Sequence, residues 1–183
     1  MGASDGGSLT KDLREQLRGC FQGHVCLMGL GNVDYGDDAF GVRLAQELIA
    51  GGVAEVIVAG TTPDRWIGRL ADPFDHIIFL DAVEFGGAPG SVVFLDSGEI
   101  SVAFPQISTH KISLAVLARW AEANGKTKAW LLGVQPESLK PVPLLTQKVQ
   151  TTLAALSELL RSLSSPQRPA KQQEVGLAEE VKA

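Results

Sequence analysis

The side chains best suited to chemistry in this sequence are carboxylates that follow predicted strands. Asp37 and Asp38 come after the first apolar strand, Asp81 ends the third, and Glu137 follows the fifth. In an open parallel sheet, ligands bind outside the carboxyl ends of the strands. These carboxylates therefore fall at the edge of the sheet where a functional site is expected.

The three histidines divide between the two edges of the predicted sheet. His24 and His76 each precede an apolar strand, which predicts a position at the amino edge. His110 follows the fourth strand and a loop, at the start of a helix, so it can lie at the carboxyl edge. Two Asp and one His at one edge can form a small metal site, because imidazole and carboxylate suit zinc, nickel or ferrous iron.

Each of these residues also has an ordinary structural interpretation. Asp37 or Asp38 could cap the helix that follows, and the two roles of capping and ligation could be divided between them. Asp81 could be a turn residue, and His110 could lie in the first turn of its helix with only water as its partner. Their shared edge is the observation that favours a metal site.

The elements that must position these residues follow an α/β pattern. Short apolar segments alternate with amphipathic ones, which predicts a three-layer sandwich with a mostly parallel twisted sheet flanked by helices. The predicted strands are Val25–Met28, Glu55–Ala59, His76–Leu80, Ser91–Leu95 and Ala129–Val134. Two helices are predicted at about 9–21 and 38–50, and the apolar face of the second carries Phe40, Leu44, Leu48 and Ile49. A third helix is marked by the apolar residues Ile112, Ala115, Val116 and Trp120. The last helix is marked by Leu145, Val149, Leu153, Leu156 and Leu160.

Composition limits the classes of protein to consider. The chain of 183 residues fits one α/β domain over 24–163, preceded by an appendage over 1–23 and followed by a mobile tail over 164–183. A net charge of −5 argues against nucleic-acid or membrane-surface partners. No apolar run approaches the ~20 residues of a membrane span and no targeting signal is evident, so we expect a cytoplasmic protein.

Two motifs resemble known sites but depart from them. Gly29-x-Gly31 begins like a dinucleotide-binding loop, but Asp34 stands where the third glycine belongs and would face a pyrophosphate. The two glycines are better suited to a tight turn and a close backbone approach. Asp96-Ser97-Gly98 has the form of an aspartic-protease triplet, yet it occurs once, and a turn after the fourth strand is the preferred interpretation.

Five short motifs in order resemble the [NiFe]-hydrogenase maturation endopeptidases over about residues 24–160. The loop 59–64, the Thr-His pair and the Gln-Pro-Glu ending are similar to the hydrogenase-3 type of that family. The five motifs are Gly29-x-Gly31-Asn32, Gly36-Asp37-Asp38-x-x-Gly41, Asp81-Ala82-Val83 with Pro89-Gly90, Ser108-Thr109-His110-Lys111, and Gly133-Val134-Gln135-Pro136-Glu137.

The resemblance implies a parallel α/β sandwich and an endopeptidase that removes the C-terminal extension of a hydrogenase large-subunit precursor after nickel insertion. It implies that Asp38, Asp81 and His110 are the catalytic residues and contact the nickel of that precursor, which leaves capping as the expected role of Asp37. No organic cofactor is implied, and we expect a monomer. At Val58, where many members carry Asp, the chain departs from the family and no role is transferred.

Two other functions remain open at this stage. A non-catalytic nickel chaperone or docking module could use the same three residues, because no separate nucleophile is evident. A nucleotide-binding enzyme of the doubly wound class is disfavoured by Asp34.

Overall fold

The structure is a computed structural model that describes residues 6–70, 72–104, 112–123 and 125–164, with side chains from residue 13 onward. The strands are β1 (Val25–Leu30), β2 (Val56–Gly60), β3 (His76–Ala82), β4 (Val92–Asp96) and β5 (Lys128–Val134). The helices are α1 (Gly6–Cys20), α2 (Phe40–Ala50), α3 (Ile67–Leu70), α4 (Ser97–Ala103), α5 (Leu114–Ala121) and α6 (Gln147–Ser164), with 3₁₀ turns at Gly36–Ala39 and Pro63–Trp66.

Within the described ranges, the five strands form one sheet in the order β2-β1-β3-β5-β4. β1 pairs in parallel with β2 and β3, and β3 pairs in parallel with β5. β4 runs antiparallel to β5 at the edge of the sheet. The predicted α/β fold with a mostly parallel sheet is confirmed.

Helices cover both faces of the sheet and produce three layers. On one face α1, α2 and α6 bury apolar side chains such as Leu17, Leu44 and Leu153. On the other face α4 and α5 bury Ile100 and Leu117 against the sheet. Because both faces are covered, the central strands can be apolar on both sides, as β3 is.

The close packing of α2 against the sheet depends on two glycines, Gly29 and Gly41. A Cβ atom on Gly41 would overlap the carbonyl oxygen of Leu80, and one on Gly29 would overlap the carbonyl oxygen of Gly41. The helix backbone therefore lies directly on β1 and β3. The close backbone approach predicted for Gly29 is confirmed, and it fixes the position of the acidic turn that precedes α2.

Some predicted faces and turns were wrong. Ile49, Val116 and Trp120 are exposed, because the buried stripes of α2 and α5 run through neighbouring positions such as Leu48 and Leu117. Asp96 does not lie in a simple turn: it caps α4, with its side chain accepting a hydrogen bond from the Glu99 N–H while the Glu99 carboxylate accepts from the Asp96 N–H.

The N-terminal segment packs against the sheet domain, since Leu17 and Cys20 are buried among core residues of α2 and α6. Burial raises the pKa of the Cys20 thiol to about 11 and that of Cys26, inside β1, to about 12. The segment 165–183 lies outside the described residues. The domain boundaries at 23 and 163 stay predictions.

Candidate functional site

Asp37 is a fully buried carboxylate that holds the loop after β5. Its Oδ2 accepts hydrogen bonds from the backbone N–H groups of Glu137 and Ser138, at 2.8 and 3.0 Å, and from the Thr146 hydroxyl at 2.9 Å. Its Oδ1 accepts from the Thr146 N–H at 2.7 Å. The expected capping of α2 by Asp37 is wrong, because no side chain of the described residues caps that helix or its 3₁₀ turn. The carboxylate lies instead at the start of α6, where negative charge is favoured.

Asp38 is buried beside Asp37, with 5% of its surface exposed, but its carboxylate is only half satisfied. Oδ2 accepts a hydrogen bond from the Asn32 N–H at 2.8 Å. Oδ1 is buried and has no hydrogen-bond partner among the described residues. Leaving a buried acceptor without a partner costs free energy, and such an oxygen needs an explanation in a folded protein. Asp38 therefore has one carboxylate oxygen that could accept a further partner.

The backbone around Asp38 is shaped by Gly31. This glycine has a φ of 121° and lies so close to the Asp38 carbonyl oxygen that a Cβ atom there would overlap it. Its N–H donates to the carbonyl oxygen of Gly60 at the end of β2. The predicted tight turn after β1 is thus confirmed, and it brings the acidic turn against the carboxyl edge of the sheet.

Asp81 lies at the same edge. It precedes the last residue of β3, and its neighbour Leu80 pairs with Gly29 of β1, two residues before Gly31. The Asp81 side chain is buried, and its Oδ1 accepts a hydrogen bond from the Ala82 N–H at 2.9 Å, which orients the carboxylate. Asp38 and Asp81 are therefore two buried carboxylates at the carboxyl edge of the sheet, as the sequence predicted, and the structure shows that the strands before them, β1 and β3, are adjacent.

His110, the third predicted ligand, lies outside the described residues. The fourth strand ends at the opposite edge from the one expected, because β4 is antiparallel and its last residue, Asp96, pairs with Trp130 near the amino end of β5. Among the described residues, no group of three or more His, Cys, Asp or Glu side chains is placed to hold a metal ion. The ligand set Asp38, Asp81 and His110 stays a prediction.

The other polar candidates have structural roles. Glu137 forms an ion pair with Lys148 at 2.6 Å and gives its N–H to Asp37. His24 and His76 lie at the amino edge as predicted, since both adjoin Asp75 just before β3. Burial lowers the pKa of His76, and its Nδ1 accepts a hydrogen bond from the indole N–H of Trp130.

Two residues that organise the edge were given no role by the sequence, although Gln135 stands in the last of the five motifs. The Gln135 side-chain oxygen accepts from the N–H groups of Phe85 and Gly87, which fixes the loop after β3 beside Asp81. Thr146 donates two hydrogen bonds to Asp37. Nothing in the local sequence around Thr146 indicates this, because its partner is 109 residues away.

An apolar groove of about 720 Å³ lies elsewhere, between α1, β4 and α6. Leu13, Phe94 and Leu159 line it, and its polar lining consists of amide and hydroxyl groups such as those of Gln16 and Thr152. Among the described residues that line it, none carries a carboxylate or imidazole for hydrolysis or metal binding. The carboxyl edge with Asp38 and Asp81 is therefore the candidate site.

Comparisons with known proteins agree with this fold. The family model of HycI, a hydrogenase maturation protease, matches residues 42–162. The chain is 33% identical over 148 residues to the hydrogenase 2 maturation protease of Escherichia coli strain K12, an alignment that covers 76% of this chain and 90% of that protein.

Two solved structures are similar over most of their length. HycI, a [NiFe] hydrogenase maturation protease from Thermococcus kodakarensis, matches with a TM-score of 0.70 and 27% identity, over 81% of this chain and 97% of that one. The hydrogenase maturating endopeptidase HybD from E. coli matches with a TM-score of 0.63 and 30% identity, over 76% and 89%.

The fold and the similarity to these known proteins together identify the chain as a peptidase. The chain belongs to the hydrogenase maturation protease family. This membership favours an enzyme over the non-catalytic docking module that the sequence had left open. In the part of the chain that the structure describes, every helix is too short or too polar to span a membrane.

Proposed function

We propose that this protease removes the C-terminal extension of a [NiFe]-hydrogenase large-subunit precursor after nickel insertion, and that Asp38, Asp81 and His110 contact the nickel carried by the precursor. Nickel is then part of the substrate, and the enzyme supplies an incomplete ligand set. Only a loaded precursor provides the ion that completes the site, so cleavage would depend on prior nickel insertion.

The unpartnered Oδ1 of Asp38 is the observation that carries the proposal. A buried carboxylate usually has hydrogen-bond partners, and Asp37, one residue earlier, has them on both oxygens. An oxygen left open at the edge of the sheet is suited to a cation that arrives with the substrate. The Asp81 carboxylate at the same edge is oriented by the Ala82 N–H and would add a second oxygen donor.

The direction of α5 bears on the proposed role of His110, which lies outside the described residues. The Glu122 side chain, just after α5, accepts a hydrogen bond from the Ala129 N–H near the start of β5. The end of α5 is therefore tied to the amino edge. Its eight residues rise about 12 Å toward the opposite edge. His110 precedes the start of this helix by four residues.

The chemistry proposed is attack by water. Cys20 and Cys26 are buried with pKa values raised to about 11 and 12, so neither thiol is available as a nucleophile at neutral pH. A metal ion beside the scissile carbonyl polarises it or lowers the pKa of a bound water. A carboxylate at the same edge can accept the proton of that water. Asp38 and Asp81 are the residues that we propose for these roles.

The experiment compares nickel-loaded and nickel-free precursor incubated with the protein, with the shortened product followed by electrophoresis and its mass. We expect cleavage of the loaded precursor alone. Equal cleavage of both forms would refute the nickel requirement.

Three variants test the proposed contacts. Asp38→Asn, Asp81→Asn and His110→Ala should each lower the cleavage rate at least about a hundredfold while the circular dichroism spectrum stays unchanged. The matched controls are Asp34→Asn and His24→Ala, because both residues are exposed and lie outside the proposed ligand set. Wild-type rates in all three site variants would remove these residues from the mechanism.

The motifs of the sequence further support a hydrogenase-3 type precursor as the substrate. The relative from E. coli is named for hydrogenase 2, so precursors of the two types are the substrates to compare. Cleavage rates on nickel-loaded precursors of both types would test this, and faster processing of the hydrogenase 2 type would contradict it.

A further inference from the structure

Exposed apolar side chains are concentrated beside the candidate site. Five of the nine large hydrophobic residues exposed in the described part of the chain lie in the loops 32–36 and 137–146. They are Val33, Tyr35, Leu139, Val142 and Leu144, with exposed fractions from 38% to 74%. We refer to these five residues as the apolar rim. Exposed apolar side chains grouped in this way often mark an interaction site.

The two loops of the rim are hydrogen-bonded to each other. The Gly36 N–H donates to the carbonyl oxygen of Val142 at 2.7 Å, and the Asp37 N–H donates to that of Ser138 at 2.9 Å. Gly36 has a φ of 51° and lies so close to the Ser138 carbonyl that a Cβ atom there, 2.6 Å from the oxygen, would force a shift. The apolar side chains therefore belong to one surface rather than to two separate loops.

The buried carboxylate of Asp37 makes that surface rigid. It joins the first loop to Glu137, Ser138 and Thr146 at both ends of the second loop through four hydrogen bonds. Arg43 adds a hydrogen bond to the carbonyl oxygen of Pro143. A preorganised surface loses little conformational entropy on binding, which favours a docking role over that of an adaptable loop.

The charges around the rim indicate the chemistry of its partner. Glu137 is already paired with Lys148. The remaining exposed charges within the two loops are one acid, Asp34, and one base, Lys140, so the surface is locally balanced although the whole chain carries −5. Such a surface attracts neither polycations nor polyanions. It suits an apolar protein surface bordered by polar groups.

We propose that the apolar rim is the docking surface for the substrate protein, which presents an uncharged apolar patch next to its scissile segment. This inference rests on the proposed function, because it assumes that a protein precursor is cleaved in the site that contains Asp38. The rim is continuous with that site: Tyr35 is three residues before Asp38, and Asp37 links the rim to it directly. A partner bound on the rim places its adjoining chain at the carboxylates.

The test measures cleavage of nickel-loaded precursor by the full-length protein. Tyr35→Ser, Val142→Ser and Leu144→Ser should each lower kcat/KM about tenfold, mainly by raising KM, because these side chains serve binding rather than chemistry. Leu144→Met, which keeps the side chain apolar, should lower kcat/KM less than Leu144→Ser does. Thermal unfolding of each variant checks that the fold is intact.

The matched controls are Ile49→Ser on α2 and Val102→Ser on α4. Both residues are at least as exposed as Val142, at 49% and 83% against 45%, but neither lies in the two rim loops. Both controls should stay within about twofold of wild type. If the wild-type protein cleaves the loaded precursor and the rim variants match it, the docking inference alone fails. If the wild-type protein cleaves no precursor, the proposed function fails and this inference with it.

Discussion

Asp37 and Asp38 are neighbours in the chain, yet their carboxylates have different surroundings. Asp37 accepts four hydrogen bonds from the loop before α6 and serves the structure. Asp38 accepts one, from Asn32, and leaves Oδ1 open. The contrast separates a positioning carboxylate from a candidate metal contact. It also explains why sequence alone could not divide their roles: the partners of Asp37 lie about a hundred residues away.

Substituting the two residues should separate stability from activity. Asp37→Asn replaces one acceptor oxygen with an NH₂ group that faces N–H donors, so we expect the free energy of unfolding to fall by about 3 kcal/mol. Asp38→Asn keeps the shape and leaves the same position unsatisfied, so its stability should stay within about 1 kcal/mol of wild type. Urea unfolding followed by tryptophan fluorescence measures both.

Cleavage assays on the same two variants complete this comparison. Asp38→Asn should be folded and inactive, whereas Asp37→Asn should lose activity in proportion to its loss of folded protein or of precursor affinity. A large loss of stability in Asp38→Asn, equal to that of Asp37→Asn, would show that Asp38 stabilises the fold and is not needed as a metal contact.

At the scale of elements, the site depends on how closely α2 lies on the sheet. A Cβ atom on Gly41 would overlap the carbonyl oxygen of Leu80, the residue before Asp81. The 3₁₀ turn that carries Asp38 leads directly into α2. A displaced helix would therefore move both carboxylates relative to each other.

Gly41→Ala should therefore lower stability by about 2 to 4 kcal/mol and reduce cleavage, because the obstructing atoms are backbone and cannot rotate away. The matched control is Gly19→Ala in α1, where a Cβ atom meets nothing within 4 Å. That change should be neutral or stabilise by up to about 1 kcal/mol, since Ala is the better helix former. Thermal unfolding midpoints compare the two, and equal effects would contradict close helix packing as the cause.

The sequence predicted the five strands and the longer helices because apolar periodicity reports burial directly. It missed α3 and α4, which are too short to show a period. It also could not show that β4 is antiparallel, since strand direction depends on how the chain crosses the sheet and not on local pattern. For the site, Asp38 and Asp81 could be assigned to one edge, while the roles of Thr146 and Gln135 depend on long-range contacts that no local motif encodes.

Across the whole molecule, the two edges of the sheet have different roles. The carboxyl edge carries the open carboxylate and the apolar rim. The amino edge is closed by structural hydrogen bonds: Asp75 accepts from the His24 N–H at 2.7 Å, and Trp130 donates to His76 at 3.0 Å. The protease thus separates its proposed chemistry from the residues that stabilise the start of β3.

This separation predicts a pH effect on stability that is independent of the site. Burial lowers the pKa of His76 below its ordinary value of 6.5, Lys128 acts in the same direction, and Asp75 opposes them. The neutral ring also accepts the Trp130 indole N–H at Nδ1, which protonation of that nitrogen would abolish. Below pH 6.5 the unfolded chain binds a proton that the folded chain resists, so the His76 contribution is complete above that pH and is lost as the pH falls toward the lowered pKa.

His76→Gln keeps an oxygen that can accept from Trp130 but removes the titration. The free energy of unfolding of this variant should therefore fall less than that of wild type between pH 7 and pH 5.5, while the difference between the two proteins stays constant above pH 7.5. Urea unfolding curves across this range measure the effect. Parallel pH profiles for the two proteins would show that His76 does not couple protonation to folding. A steeper loss of stability in the variant would show that protonation of His76 stabilises the fold instead of destabilising it.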